Sequence, residues 1–446
     1  MHVVMFGDQH VESSGGAQVS MRLQRRFLER AGHTVTIVSP RLHARRVSDP
    51  AYVDLPSLPI TIDREYGIPW PGASTDRRLD QAMTRRPPVD LVHVQADFWG
   101  AFLGHRFARR HRLPLVHTMH NRVDVGIEAT APAPSLVLRA LNAWARRALR
   151  RGGPAAGVDG WAYLRTLASG ADAVTAPSSH FARRLEQHRV FPHVDVVWNG
   201  IDDAVLNEIG AARFPRAEGR VRLVWIGRMS PEKRLLPFLR SLAEAGIDAD
   251  VAVIGGGGQL RAARRLVRRL APNARVTFAG RLPYAETLRR IAAADAVVQT
   301  SIGFETQGMT VFEAASLGVP SIVSDPDIAG ELGSGHWPVH DASTRALAAA
   351  LRSAASDILE GHAPVPDPSI RERFRQSSRT DAMIAVYDRA RASESDGPQH
   401  ERVDDVPRHE VEQGQGPGAD ADAREHPGGV SSGDAEDPEA QRREGE

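Results

Sequence analysis

A lone lysine lies in a segment whose residue types could bind an anion. Lys233 is the only lysine among 446 residues, although Lys and Arg together number 56. It lies in GRMSPEKRL, where we predict that Ser230 caps a helix beginning at Pro231. Cations such as Lys233 and Arg228 are unfavourable at the positive end of a helix dipole unless a phosphate binds there. The alternative interpretation is a solvated surface lysine.

Two glutamates follow in SIGFETQGMTVFEAASLG. We predict that Glu305 lies in a loop after a strand and that Glu313 lies inside the next helix. The residues between them, 306–309, would present helix-start N–H groups to an anion. Glu313 then lies about 7.5 Å of axial rise beyond that start, so the two carboxylates would flank a bound phosphate. Either could be an exposed carboxylate if taken alone, but together with the cationic segment they favour a nucleotide-sugar site.

Apolar strand patterns alternate with amphipathic helical patterns in two stretches that must position these residues. The first covers residues 1–204 and the second runs from about 220 to 365. Such alternation is typical of doubly wound parallel sheets, and ligands bind at the carboxyl ends of their strands. We therefore predict an α/β protein with two Rossmann-like domains and a cleft between them. Gly257, in the run of glycines at 255–258, would form another backbone-permissive loop at a strand end.

Composition limits the classes of protein to consider. The chain contains no cysteine, which removes disulfides and thiolate chemistry, and it has no apolar run of about 18 residues. We expect no leader peptide and a cytoplasmic location. Residues 393–446 carry 16 acidic residues and 5 arginines, a net charge of −11, which leaves +12 for residues 1–392. We expect this acidic segment to be disordered, because it lacks aromatic residues, Leu and Ile.

Several motifs resemble those of the retaining family-4 glycosyltransferases of the GT-B fold over roughly residues 1–390. They are GRMSPEK, GGGG, FAGRL, the E-x7-E pair, GGAQVS, HTMHN and WNGID. The resemblance implies an N-terminal acceptor domain at 1–204 and a nucleotide-sugar-binding domain at 205–369. It also implies a bridging helix at 370–391, and the acidic tail at 392–446 follows.

The same resemblance implies roles for individual residues. Glu305 would hold hexose hydroxyls, Glu313 the nucleotide ribose, and Arg228 and Lys233 the diphosphate. His120 would lie beside the sugar, near its C6 hydroxyl. The other residues implied to bind the donor are Gly15, Gly16, Gly257, Thr306, Gln307, Gly308, Met309 and Thr310. No cofactor or metal is implied, and we expect DPD at 325–327 to be a turn.

The segment ETQGMT at 305–310 is similar to that of the diacylglycerol α-glucosyltransferases. This favours glucose, UDP and a membrane lipid acceptor, with peripheral binding to the inner face of the cell membrane and no nucleic-acid partner. Alternatives are a GDP-mannose-dependent enzyme, a soluble glycoside acceptor, a glycoside hydrolase and a non-catalytic nucleotide-binding protein. The sequence does not indicate which hexose, nucleotide base or acceptor is used, nor the oligomeric state or the role of the tail.

Residues 135–151 could contribute a membrane contact. An apolar stripe through Leu138, Trp144 and Leu149 opposes several arginines at helical spacing. One interpretation is an interfacial helix on anionic lipid, in which each well-placed arginine contributes about 1 kcal/mol. The other is a stripe that packs on the sheet beneath solvated arginines.

Overall fold

The structure is a computed structural model that describes residues 1–13, 16–45, 47–60, 64, 66–150, 157–211 and 219–395. Gly15 and residues 396–446 lie outside the described residues, so the predictions for Gly15 and for most of the acidic tail fall outside them too. Among the described residues, no helix is both long enough and apolar enough to span a bilayer.

Strands and helices alternate along the chain. The strands are β1 (His2–Gly7), β2 (Thr34–Pro40), β3 (Tyr52–Leu55), β4 (Leu58–Pro59), β5 (Gly67–Ile68), β6 (Leu91–Gln95), β7 (Leu115–Thr118), β8 (Ala173–Ala176), β9 (Val194–Val196), β10 (Val221–Ile226), β11 (Ala249–Ile254), β12 (Arg275–Gly280), β13 (Ala296–Gln299), β14 (Ser321–Val323) and β15 (His336–Pro338).

The helices pack on the faces of the sheets. They are α1 (Gly16–Arg30), α2 (Ala73–Met83), α3 (Trp99–His111), α4 (Val123–Thr130), α5 (Pro134–Leu149), α6 (Gly160–Ala168), α7 (Ser179–Gln187), α8 (Asp203–Ala211), α9 (Leu235–Ala245), α10 (Leu260–Leu270), α11 (Tyr284–Ala292), α12 (Met309–Ser316), α13 (Pro326–Leu332), α14 (Thr344–Glu360), α15 (Ser369–Arg373) and α16 (Gln376–Ser395).

Two parallel sheets form the framework, which confirms the predicted architecture. The first has seven described strands in the order β3-β2-β1-β6-β7-β8-β9, and the second has six in the order β12-β11-β10-β13-β14-β15. Their central strands are buried, as expected for sheets covered on both faces. In each sheet the strand order reverses beside the first strand along the chain, β1 or β10, and parallel sheets of this kind bind ligands at that point.

The predicted C-terminal helix is divided into two. Phe374 and Arg375 separate α15 from α16, whereas one bridging helix was predicted at 370–391. Ile370 and Phe374 pack in a cluster of the second sheet, against Phe312, whereas Tyr387 packs in a cluster of the first sheet. The break lets consecutive helices pack against different sheets.

The predicted helix start at Pro231 is wrong. Pro231–Lys233 form a single 3₁₀ turn, and Arg234 then takes a left-handed conformation, with φ of 55°, before α9 begins. Ser230 does not cap the turn with its side chain, because its hydroxyl donates to the carboxylate of Glu232. Lys233 therefore lies in a turn ahead of the helix, where its position is set by loop contacts.

The apolar stripe of α5 packs against the protein core. Leu138, Ala145 and Leu149 are buried in the cluster beneath the helix, and Trp144 packs at its edge against Phe102. The stripe is therefore not the membrane-facing surface, and the packing interpretation of this pattern holds.

Candidate functional site

Lys233 and Glu305 are in direct contact. The Nζ atom of Lys233 lies 2.5 Å from Oε1 of Glu305, and Oγ of Ser301 donates to the same carboxylate oxygen at 2.7 Å. The Lys233 ammonium also lies 5.7 Å from the ring centroid of Phe304. Both charged side chains are partly buried, at 21% and 18% exposure. A cation and an anion thus lie together in loops that follow β10 and β13.

The charge state of Glu305 is fixed by these neighbours. Burial alone would raise the pKa of its carboxyl, but the Lys233 ammonium and the hydrogen bonds from Lys233 and Ser301 lower the pKa below its ordinary value. Glu305 is therefore a carboxylate at neutral pH. A carboxylate accepts hydrogen bonds only, which suits it to sugar hydroxyls.

The turn that carries Lys233 is held from the neighbouring strand. Oγ1 of Thr300 donates to the carbonyl of Lys233 at 2.6 Å, and Nε1 of Trp225 donates to Oγ1 of Thr300 at 2.9 Å. Trp225 is buried in β10. The backbone of this turn is thereby attached to the core of the second sheet.

Arg228 is the more exposed cation of the predicted pair. Its side chain is 65% exposed and lies 3.1 Å from Oε1 of Glu232, which also accepts from Ser230. Burial would raise the pKa of Glu232, but the bonds from Ser230 and the charge of Arg228 lower it. Arg228 thus has a carboxylate partner, and its guanidinium remains open to solvent.

Gly257 packs directly against the segment that carries Arg228. Its φ is +149°, and a Cβ there would lie 2.7 Å from the carbonyl oxygen of Met229. The backbone N–H of Met229 also donates to the carbonyl of Gly256 at 2.8 Å. A side chain at 257 would separate the two loops, so glycine is required for their contact.

Helix α12 begins where the sequence predicts, directly after the loop that contains Glu305. Gly308 precedes it in a left-handed conformation, with φ of 76°, and a Cβ there would lie 2.6 Å from Cδ1 of Ile328. Met309 and Thr310 form the first turn, where N–H groups have no helical partner. Glu313 is buried in the same helix, and burial raises the pKa of its carboxyl to about 7, while the hydroxyl of Tyr284 opposes that rise.

Thr306 and Gln307 contact the first domain. Oγ1 of Thr306 donates to the carbonyl of His120 at 3.0 Å, and Ser178 donates its hydroxyl to the carbonyl of Thr306. Oε1 of the buried Gln307 accepts from the backbone N–H of Asn199 at 3.1 Å and from its side chain at 2.7 Å. These two predicted donor-binding residues therefore join the sheets in this structure.

His120 lies on the first-domain side of this junction, in the loop after β7. Burial lowers the pKa of its imidazole, the nearby carboxylate of Asp97 opposes that shift, and His117 adds to it. The imidazole is therefore neutral at pH 7. Its Nε2 is buried and has no hydrogen-bond partner among the described residues.

Two carboxyl groups that the sequence analysis did not identify hold the loop of His120 in place. Asp97 is fully buried, and its Oδ2 accepts from the backbone N–H of His120 at 3.1 Å and from Asn121 at 2.7 Å. Asp8 accepts from the backbone N–H of Asp97 at 2.8 Å and of Gly100 at 2.9 Å. Burial and the charge of Asp97 raise the pKa of Asp8 to about 7. Both aspartates follow strands, β1 and β6, and that position was the available signal.

The remaining predicted positions differ in their surroundings. Gly16 begins α1, and a Cβ there would meet nothing within 4 Å. Asp325 caps α13 by accepting from the N–H of Asp327 at 3.0 Å, so DPD begins a helix. In the part of the chain that the structure describes, no group of three or more His, Cys, Asp or Glu could hold a metal ion.

Comparison with known proteins decides the family. Residues 14–205 match Glycosyltransferase Family 4, and residues 220–357 match Glycosyl transferases group 1. The chain belongs to the family-4 glycosyltransferases.

Two curated relatives have different activities in their names. The chain is 25% identical over 340 residues to the alpha-monoglucosyldiacylglycerol synthase of Streptococcus pneumoniae, covering 72% of this chain and 70% of the relative. It is also 25% identical over 345 residues to the GDP-mannose-dependent alpha-mannosyltransferase of Mycolicibacterium smegmatis, covering 73% and 80%. The shared property is glycosyl transfer.

Solved structures confirm the GT-B fold of this glycosyltransferase. HepE of Anabaena, in complex with UDP and glucose, matches 87% of this chain and 99% of its own with a TM-score of 0.59 at 16% identity. Sucrose-phosphate synthase from Thermosynechococcus elongatus matches 88% and 99% with a TM-score of 0.67 at 16% identity.

Proposed function

We propose that this glycosyltransferase transfers a hexose, glucose, from UDP-glucose to a membrane lipid such as diacylglycerol. The anomeric configuration of the glucose is retained in the product. The observation that supports the proposal is the contact between Lys233 and Glu305, a cation of the type that binds a diphosphate and a carboxylate of the type that accepts from sugar hydroxyls. The pneumococcal relative, named for a glucosyldiacylglycerol product, supports the lipid acceptor.

Each charged group has a distinct task in this proposal. Lys233, Arg228 and the first N–H groups of α12 bind the donor diphosphate, and their positive charge stabilises it as it departs. Glu305 binds hydroxyls of the hexose, and Glu313 binds those of the ribose. Lys233 and Glu305 are bonded to each other here, and the remaining N–H groups of Lys233 and the second carboxylate oxygen of Glu305 can bind the donor.

The transfer needs no protein nucleophile. The acceptor hydroxyl oxygen attacks C1 of the hexose on the face that the diphosphate leaves, the bond from C1 to the diphosphate oxygen breaks, and the acceptor proton passes to the departing diphosphate. The rate then depends on positioning and on stabilisation of the leaving-group charge.

The direct test is transfer of radiolabelled glucose from UDP-glucose to diacylglycerol in mixed micelles. We expect a labelled lipid whose anomeric configuration, read by NMR, matches that of the donor. Glu305→Ala should abolish most of the transfer. Normal activity in that variant, or an inverted product, would contradict the proposal.

A second candidate is mannosyl transfer from GDP-mannose, which the mycobacterial relative supports. Competition of UDP and GDP for the wild-type protein separates the two donors. Displacement of a bound nucleotide probe by GDP at a much lower concentration than UDP would favour the mannosyl donor.

We also propose that the transfer requires no metal ion, because Lys233, Arg228 and helix dipoles supply positive charge at the diphosphate. Activity should persist after treatment with EDTA. Loss of activity that added Mg²⁺ or Mn²⁺ restores would contradict this.

A partly apolar and basic surface is the proposed membrane contact. Trp70 is 72% exposed, and its ring centroid lies 6.0 Å from that of Trp144 in α5. Leu136 is exposed on the same helix, as are Arg139 and Arg147. Exposed aromatic and aliphatic side chains beside arginines suit an anionic bilayer surface.

Vesicle sedimentation tests this contact. The wild type should sediment with vesicles of anionic phosphatidylglycerol at low salt, and Trp70→Ala combined with Arg147→Ala should weaken that binding. Equal sedimentation of the wild type and the double variant would place the contact elsewhere.

A further inference from the structure

His120 has both of its peptide groups held by side chains. Oδ2 of Asp97 accepts from its N–H at 3.1 Å, and Oγ1 of Thr306 donates to its carbonyl at 3.0 Å. Asp97 follows β6 of the first sheet, whereas Thr306 follows β13 of the second sheet. The position of one histidine is thus fixed from both domains.

The loop that carries Thr306 has two further hydrogen bonds from the first domain. Ser178, just ahead of α7, donates its hydroxyl to the carbonyl of Thr306, and Nη1 of Arg122 donates to the carbonyl of Gly303 at 3.1 Å in the same loop. The residue before Thr306 is Glu305, whose carboxylate contacts Lys233. Two consecutive residues of one loop, Glu305 and Thr306, therefore contact Lys233 and the backbone of His120.

The ring of His120 is suited to contact a substrate. Its Nε2 is buried and has no partner among the described residues, and burial lowers the pKa of the imidazole so that it is neutral. A buried polar atom without a partner is costly unless a ligand satisfies it. Because a misplacement of about 1 Å at a reacting centre can cost about 100-fold in rate, the backbone bonds of His120 matter to its use.

We propose that Thr306 is a positioning residue, which sets His120 against the bound hexose when the loop carrying Glu305 is in place. This inference rests on the proposed function, because it assigns Thr306 to the same donor site. It differs from the assignment that the sequence favours, in which Thr306 is a ligand of the donor. Thr306 acts through the backbone of His120 and holds the two sides of the cleft in register.

The test uses the full-length chain with Thr306→Val, which keeps the shape and removes the hydroxyl donor, and Thr306→Ser, which restores it. Thr287→Val is a matched control, because Oγ1 of Thr287 also donates to a backbone carbonyl, that of Pro283 in α11. We expect Thr306→Val to lower kcat about 10-fold while the Kd for UDP stays within about twofold. Thr306→Ser should recover most of the rate, and Thr287→Val should match the wild type.

A double-mutant cycle with His120→Ala isolates the route of the effect. If Thr306 acts through His120, adding Thr306→Val to His120→Ala should lower kcat by no more than about twofold. A full additional 10-fold loss would overturn the proposal. So would a kcat for Thr306→Val equal to that of the wild type, or a loss of UDP affinity that accounts for its lower rate.

A ligand-free measurement separates this inference from the proposed function. The imidazole signals of His120, assigned by their absence in His120→Gln, should titrate at a higher pH in Thr306→Val than in the wild type, because the ring is less firmly held in its buried position. An unchanged titration would overturn the positioning role even if sugar transfer is demonstrated. A wild type that neither binds UDP nor transfers sugar, but whose His120 titration shifts in Thr306→Val, would refute the proposed function and the role against the hexose, while the effect of Thr306 on the position of His120 would stand.

Discussion

The two sides of the cleft hold their charged groups in different ways. On the side of the second sheet, Lys233 and Glu305 are partly exposed and paired with each other, and this contact lowers the pKa of Glu305, so its carboxyl is ionised before a ligand arrives. On the side of the first sheet, Asp97 is fully buried, His120 is neutral, and burial raises the pKa of Asp8 to about 7. The first arrangement suits binding of a charged diphosphate, and the second suits positioning of neutral hydroxyls.

This difference has a consequence for mutations. Changes of Lys233 or Glu305 should remove function with a smaller loss of stability, because both side chains keep some contact with solvent. Changes on the side of the first sheet should cost stability as well, because they leave buried polar groups without partners.

The largest effect is expected for Glu305→Gln. Loss of the carboxylate misplaces the hexose, so kcat should fall about 100-fold, while the urea midpoint should stay near that of the wild type. Steady-state kinetics and urea unfolding on the same preparation check both parts. Glu286→Gln, in the exposed ion pair with Arg290 on α11, is the control and should leave both values unchanged. Full activity of Glu305→Gln would remove the assigned hexose contact.

Asp97→Ala should lower the free energy of unfolding by about 2 kcal/mol. It removes the acceptor for the N–H of His120 and for the side chain of Asn121, and each unpaired buried donor is costly. Urea denaturation measures the change, and calorimetry should show that UDP still binds. If Asp97→Ala is as stable as the wild type, the buried polar groups on the side of the first sheet do not contribute the stability expected of them.

Glu313 gives a prediction of pH dependence. Because burial raises the pKa of its carboxyl from 4.5 to about 7, the folded state binds the proton more tightly, and stability falls as pH rises through 7. Glu313→Gln removes this dependence, so it should gain about 1 kcal/mol relative to the wild type between pH 6 and pH 8. Unfolding at both pH values measures the gain. If the free energy of unfolding varies with pH in the same way in both proteins, the pKa of the Glu313 carboxyl is not raised.

The smallest effect is expected for an exposed ion pair that joins the two domains. Arg184 in α7 pairs with Asp327 in α13, and their side chains are 34% and 37% exposed. Arg184→Ala should cost about 0.5 kcal/mol at low salt and less at high salt. A loss of several kcal/mol that is independent of salt would mean that this pair behaves like a buried one.

Local sequence predicts much of the arrangement of the candidate site on the second sheet. Strand patterns place Glu305 after β13 and Arg228 after β10, and the glycine at 257 has the positive φ that its turn requires. The helix start at Met309 also falls within 306–309, the segment predicted to present helix-start N–H groups. These features depend on residues close in sequence, so periodicity and turn chemistry can identify them.

The rest depends on contacts between distant residues. The bond from Thr306 to His120 joins positions 186 residues apart, and Arg234 takes a left-handed conformation that no local rule requires. The apolar stripe of α5 fits a membrane surface or a protein core equally well by sequence alone, and only its packing against α3 distinguishes the two. β15 has only three residues and ends in Pro338, a residue that is uncommon inside strands, so local sequence gives little indication of it.

In the proposed donor site, the turn carrying Lys233 binds the diphosphate and the loop carrying Glu305 binds the hexose. Calorimetric titration of UDP into the wild type, Lys233→Ala and Arg240→Ala tests it most directly, because Arg240 is an exposed cation on α9, seven residues further along the chain. Lys233→Ala should weaken UDP binding at least 10-fold, and Arg240→Ala should leave it unchanged. Equal affinity in all three proteins would contradict it.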